Sequence, residues 1–321
     1  MSRRRNSWPW AATSVPEIRR QWCNALDASV AHQSTAIENP PDVGDSPGAR
    51  RLQSLTAKLA ESLKHMSDET DAIRAAELYW VSRDMVDVAV EASESLPEWT
   101  PAVAAPAPNG LLCWAKPADT VPWTAAGGGP HTDVTWDAMW WWTRSDGVLQ
   151  LQPVSRLARN PELLAPYQVS SPLWAASTTL VVNPLVPRTE EATGSAEASR
   201  FVSILGAAWL LMGQPVMATT RALNTGPADG RPADPAPGAA PPQDPARVTI
   251  VELRRPISPP RDRDSQPSGR QFQRRWWVGG HWRQQACGPN HSQRKPTWIS
   301  SYIKGPDGLP LTKDRIHVWR R

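Results

Sequence analysis

The densest chemistry in the chain lies between Gln271 and Pro289, where the sequence reads QFQRRWWVGGHWRQQACGP. Three arginines, three tryptophans and a histidine fall between Arg274 and Arg283, and Arg294, Lys295, Lys304 and Arg315 follow, interleaved with Trp298 and Tyr302. Guanidinium and ammonium groups attract phosphates without regard to base sequence, and an exposed aromatic face stacks on an unpaired base. The combination predicts a nucleic-acid surface made by Arg274, Arg275, Trp277, His281, Trp282, Arg283, Arg294, Lys295, Tyr302 and Lys304. Alternate residues of a strand share a face, so Arg275 and Trp277 point one way and Arg274 and Trp276 the other. One of these indoles then faces the core and the other is free to stack. The plainer alternative buries both and lays the arginine stems over them.

The same residues admit two other chemistries. His281 as general acid or base, with Arg283 or Lys304 stabilising a phosphorane, would suit metal-free cleavage of RNA, and His291 or His317 would be the second proton carrier. Against this, a histidine in a Gly-Gly-His turn is commonly a hydrogen-bonded structural residue. His281, Cys287 and His291 are acceptable zinc ligands, but a fourth ligand is missing nearby and no Cys-x-x-Cys occurs, so no metal site and no cofactor are expected. Gly127-Gly128-Gly129-Pro130 lacks the Lys-Ser/Thr of a phosphate loop, and there is no Gly-x-Ser-x-Gly elbow. Binding is therefore expected ahead of catalysis.

Charge distribution favours the same partner. The 321 residues carry 35 Lys and Arg against 31 Asp and Glu, yet residues 247–321 hold 16 against 5, leaving +11 there and −7 in the remainder. Such asymmetry points to a polyanion, unless the acidic part neutralises the basic part within one molecule. Cys23, Cys113 and Cys287 are widely spaced and odd in number, which suits a reducing cytoplasm rather than a disulfide framework. The start, MSRRRNSWPWAATSVPE, has no apolar stretch of a secretion signal, and the most apolar run, residues 201–213, is too short to span a bilayer. A cytoplasmic protein with no membrane partner is expected. With 18 Trp against 3 Tyr and 2 Phe, aromatic burial must rely on indole, whose N–H wants a partner when dry.

These residues need elements to hold them. Ser14-Val15-Pro16-Glu17 resembles a capping box and predicts a helix towards Ile37, stopped by Asn39-Pro40-Pro41. Leu52, Leu55, Leu59, Leu63 and Met66 make a stripe on a second helix from about Ala49. Ser67 would cap a third, with Leu78, Val81, Met85, Val88 and Ala92 on one face, so that the last two form an acidic hairpin turning at 65–67. That hairpin, residues 50–95, is a candidate protein-docking surface. Beyond the Pro/Ala-rich residues 96–109 the pattern becomes β: runs at 111–115, 133–143, 148–154 and 178–182, with Asp146-Gly147 marking a hairpin. Residues 197–214 read as one buried helix. Residues 224–246 hold seven prolines and no aromatic residue, the composition of a disordered linker. Four β-like runs follow, at 248–253, 272–284, 297–303 and 316–319, with Gly279-Gly280 breaking the second.

The run RWWVGGHWRQQACGP, followed by RKPTWISSYIKGPDGLPL, resembles the C-terminal signature of a family of uncharacterised proteins of high-GC bacteria and their phages. Trp277, Val278, Gly280, His281, Trp282, Arg283 and Gln285 match its first half, and Trp298, Ile299, Tyr302, Ile303, Lys304, Gly305 and Pro306 its second. Ser301 stands where the family pattern has Pro. AAWLLMGQP (207–215) and GLLCW (110–114) extend the likeness over most of residues 110–321. The resemblance brings no activity with it, but it implies a phage or mobile-element setting.

The expected fold class is α+β: a helical arm (1–96), a central Trp-rich α+β region with one buried helix (110–223), the linker (224–246) and a basic β module (247–321). Because about 75 residues without disulfides make a marginal sheet alone, the module is expected to pack on the central region or lend it strands. The expected function is nucleic-acid binding through that module, with a protein-interaction adaptor and a metal-independent ribonuclease as alternatives.

Overall fold

The run Ala138–Thr143 (AMWWWT) fixes the architecture, because its first five residues are all buried. A strand points successive side chains to opposite faces, so a strand buried throughout needs cover on both. Ala138, Trp140 and Trp142 enter one hydrophobic cluster, while Met139 and Trp141 enter another on the opposite face. The computed structural model describes residues 9–38, 47–123, 132–164, 171–175, 179–189, 196–224, 247–254, 273–306 and 308–311. Its centre is a mixed eight-stranded sheet with helices on both sides, an α+β protein.

In chain order the elements are helices α1 (Val15–Glu38) and α2 (Pro47–Arg74), strand β1 (Glu77–Val81), helix α3 (Arg83–Ser93) and the single turn α4 (Pro101–Ala104). Then come β2 (Gly110–Trp114), β3 (Thr120–Trp123), β4 (Thr132–Thr135), β5 (Ala138–Thr143), β6 (Leu149–Arg156), α5 (Pro161–Leu164), β7 (Leu173–Ala175), β8 (Leu180–Val182), α6 (Ala196–Met212) and β9 (Ala218–Asn224). The last are β10 (Arg247–Leu253), β11 (Trp276–Val278), β12 (His281–Cys287), β13 (Gln293–Ile299) and β14 (Tyr302–Lys304). The sheet order is β7-β6-β5-β2-β1-β10-β9, with β8 also pairing β6. β1 runs parallel to both β2 and β10; the other pairings are antiparallel.

Helices α1 and α2 cover one face through Val15, Ile18, Trp22, Cys23 and Ile73, which meet Leu78, Leu111, Cys113 and Trp140. Arg74 ties the two helices at the surface by pairing with Asp27 and Asp71. The other face is covered by α3 and α6, with Met85, Val86, Ala89, Phe201, Leu205, Ala208 and Trp209 against Tyr79, Leu112, Trp114 and Trp141. Indoles fill this layer edge to face: Trp209 lies 4.9 Å from Trp141 and 5.8 Å from Trp99, centroid to centroid. Such geometry sets ring edges against π-faces and adds to simple burial.

Three sequence expectations change. The third long helix is instead the end of α2, strand β1 and helix α3. His65-Met66-Ser67 contains neither Gly nor Pro, so α2 runs through it, and the helical hairpin is α1–α2. Residues 77–81, ELYWV, pair on both sides as the central strand, because aromatic and β-branched side chains suit a pleated surface. The helical arm 1–96 is therefore not separate from the sheet. Of the basic β module, β10 is lent to the central sheet, where it lies between β1 and β9 with Val248 and Val251 fully buried. β9, which borders it, falls where the sequence reading put the end of the central region and the first linker residue. The rest of the Pro-rich stretch, 225–246, and the β-like run 316–319 lie outside the described residues.

Candidate nucleic-acid interface

The interface predicted from sequence maps to one hairpin arm. β12 and β13 pair with His281 opposite Ile299 and Cys287 opposite Gln293, and β11 and β14 pair with Val278 opposite Tyr302 and Trp276 opposite Lys304. The same register runs through both ladders, so Gly279-Gly280 and Ser300-Ser301 interrupt one continuous arm. A short 3-10 turn, Pro289–His291, caps its tip, where Asn290 and His291 take positive φ.

One face of the arm docks. Trp298 is 1% exposed and joins the core, and Trp282 packs on it with centroids 5.3 Å apart. Gln214, at the end of α6, accepts from the Trp298 backbone N–H at 2.9 Å and is itself buried. The Trp282 indole donates to the Ala92 carbonyl of α3 at 2.8 Å, and Glu91 accepts the Gly280 N–H at 3.2 Å. Gly280 is required by space: a Cβ there would strike the Trp298 ring and lie 2.7 Å from Glu91 Oε1. Gly305 is required by conformation, with φ +121° beside the Arg275 backbone.

The opposite face is polar and outward. His281, Arg283 and Gln285 of β12 alternate with the docked Trp282, and Lys295 and Thr297 are their cross-strand partners. Beyond the docked part, Trp277 is 54% exposed, Tyr302 41% and Ile303 45%. Among the described residues ten tryptophans are buried, and an indole this open stands apart from the rest of them. Lys304 Nζ lies 6.0 Å from the Trp276 ring centre, at the limit of a cation–π contact.

The ten predicted residues thus divide. Arg283, Lys295 and His281 share the outward face of the β12–β13 ladder; on the exposed β11–β14 ribbon Trp277 shares one face with Ile303, and Tyr302 and Lys304 lie on the other. Trp282 is corrected: its ring and N–H are both used in docking, so it offers no stacking platform. Arg275 donates Nε to the Leu309 carbonyl at 3.0 Å, and Arg294 donates to the His291 carbonyl at 2.9 Å near the tip. Arg274 precedes β11 and is exposed. Of the nuclease trio, His281 and Arg283 share a face while Lys304 belongs to the other ladder. His281 Nδ1 lies 3.1 Å from the Gly279 carbonyl oxygen. Among the described residues no three of His, Cys, Asp and Glu gather as a metal site.

The electrostatics of the arm are one-sided. Residues 273–306 contain Arg274, Arg275, Arg283, Arg294, Lys295 and Lys304 and no carboxylate. Among the described residues none of these six cations forms an ion pair, while the ion pairs present all lie within residues 17–252. Glu91, the helix carboxylate that touches the arm, is engaged by a backbone N–H rather than by a cation. Glu98 shares a cleft of about 470 Å³ with Arg294, Lys295 and Cys287 at the junction of α4, α6 and the arm, without pairing with either cation.

Two groups escaped the sequence reading. Asp137, fully buried, is held by Arg159 Nε at 2.8 Å, by the Arg156 N–H at 3.1 Å and by the Thr135 hydroxyl at 3.1 Å. Glu69 of α2 accepts the Trp140 indole N–H at 2.9 Å, and burial pushes its carboxyl above the usual carboxylate range. Neither has a sequence signature, because each depends on partners about 20 or 70 residues away. On α2, Leu55 and Leu59 of the candidate docking stripe are exposed while Leu63 is buried; β1 and α3, also within 50–95, belong largely to the core. No helix among the described residues is long and apolar enough to cross a membrane.

No protein-family model matches the chain, and no curated protein matches it.

Proposed function

We propose that the protein binds unpaired nucleic acid along the hairpin arm, in the cytoplasm and in the phage or mobile-element setting that the sequence resemblance implies. The observation that carries this is the set of six cations without a carboxylate partner among the described residues, on an arm that also exposes Trp277 and Tyr302. Arg283 and Lys295 attract phosphates, and the indole and phenol rings take bases by stacking. The other face of the β12–β13 ladder docks on α3 and the end of α6 through Trp282 and Trp298, which leaves Arg283 and Lys295 outward.

Fluorescence anisotropy of the full chain with labelled single-stranded oligonucleotides, RNA and DNA, tests the reading. Trp277→Ala is expected to weaken binding by about 1–3 kcal/mol, the worth of one base stack. Undiminished binding in Trp277→Ala together with Tyr302→Ala overturns the stacking role. His281 and Arg283 on one outward face also suit metal-free cleavage of RNA. Labelled RNA that shortens with the wild-type chain and stays intact with His281→Ala supports that second reading, and degradation unchanged in the variant removes it.

A further inference from the structure

A second concave site lies on the other side of the sheet, far in sequence from the arm. It is a cleft of about 540 Å³ between α1, α2 and the sheet edge at β6 and β7, a volume within the range of small-molecule sites. Its apolar wall is Trp22, Leu26, Met66, Leu173 and Trp174. Among the described residues that line it, Glu69 is the one carboxylate and neither lysine nor arginine is present.

Glu69 is half satisfied. Oε1 accepts the Trp140 N–H, and Oε2 has no hydrogen-bond partner among the described residues. His65, one turn earlier on α2, lies with Nε2 3.3 Å from Gln150 Oε1. Burial raises the Glu69 pKa, and the Trp140 hydrogen bond and the nearby His65 oppose that rise only in part. Oε2 is left open to a cation that brings its own apolar body. A primary ammonium supplies N–H donors to Oε2, and its hydrocarbon or aryl portion fits against Leu173 and against Trp22 and Trp174, the π-faces of which also attract positive charge.

We propose that this cleft binds a small primary ammonium compound carried on an aryl or alkyl body, with Glu69 as the ion-pairing residue. The site needs no nucleic acid, so it stands or falls apart from the reading of the arm.

Calorimetric titration of the full chain at neutral pH with phenethylamine, and with 2-phenylethanol as the uncharged analogue of the same body, tests it. The ammonium is expected to bind about tenfold more tightly than the alcohol, or better, the equivalent of one charge-assisted hydrogen bond. Glu69→Gln keeps an acceptor for the Trp140 N–H and is expected to bring the two ligands within about twofold of each other. Ala28→Trp, which fills an exposed lining position and leaves Glu69 intact, is expected to weaken both. It keeps the test available should Glu69→Gln fail to fold. Absence of binding by phenethylamine up to about 10 mM, a preference that survives Glu69→Gln, or affinity unchanged in Ala28→Trp overturns the proposal.

Discussion

Trp277 and Trp298 occupy one hairpin arm and have opposite surroundings, so the same substitution has opposite consequences. Trp298→Ala removes a ring that is 1% exposed and seated among α3 and α6, and is expected to cost about 3–5 kcal/mol, seen as a large fall in Tm. Trp277→Ala removes a ring that is 54% exposed and is expected to change stability by less than about 0.5 kcal/mol. Equal losses in thermal melts would contradict the assignment of docked and outward faces. Glu69 gives a pH signature at the same scale. Burial raises its folded-state pKa above the unfolded value, so the folded state holds the proton more tightly. The stabilisation from protonated Glu69 is complete below the unfolded carboxyl pKa of about 4.3 and is lost as pH rises through the folded value. Glu69→Gln does not titrate, so its Tm advantage over the wild type is expected to grow with pH across that window and then level off. A difference independent of pH would show that the carboxyl is not desolvated.

The elements owe their arrangement to a few close approaches. Gly280→Ala forces either the Trp298 ring or the Glu91 side chain to move, and overpacking of this kind costs about 1–3 kcal/mol. Differential exchange of the Gly280 and Trp298 amide protons against those of β5 would show whether the arm loosens while the sheet stays intact, the expected result. Where local chemistry decides structure, the sequence was readable. The Asp146-Gly147 turn joins β5 to β6, with Gly147 at φ +80°, α6 stops just before Gly213, and Gly279-Gly280 does split its strand. Where two periodicities coincide it misled. Leu78, Val81, Met85, Val88 and Ala92 fit a helical stripe, but Leu78 and Tyr79 face opposite layers of a strand before α3 begins. Strand β9 carries exposed Thr219, Thr220 and Arg221 at an edge of the sheet, so it lacks the apolar run that marks a strand. The candidate arm was legible in residue types and in its break. Which indole docks was not, because that depends on the Ala92 carbonyl and Gln214, both set by remote helices.

At the scale of the molecule, the described residues form a helix-covered eight-stranded sheet on which a basic arm docks. Because β10 bonds to β1 and β9, residues 247–321 lack a sheet of their own on that side. The isolated fragment is expected to melt without a cooperative transition, and a sharp, reversible transition would show that the arm folds without the body. Among the described residues every ion pair lies in the body, and the six cations of the arm have no carboxylate partner. The salt dependence of single-stranded oligonucleotide binding by the full chain tests this most directly. Six phosphate contacts predict a slope of log K against log salt near −4, from about −0.7 per phosphate, or roughly a 300-fold loss between about 50 and 200 mM. Replacing Arg283 and Lys295 together by Ala should flatten the slope by about 1.4. A slope near zero, or one unchanged in that double variant, would contradict the assignment of the arm to nucleic acid.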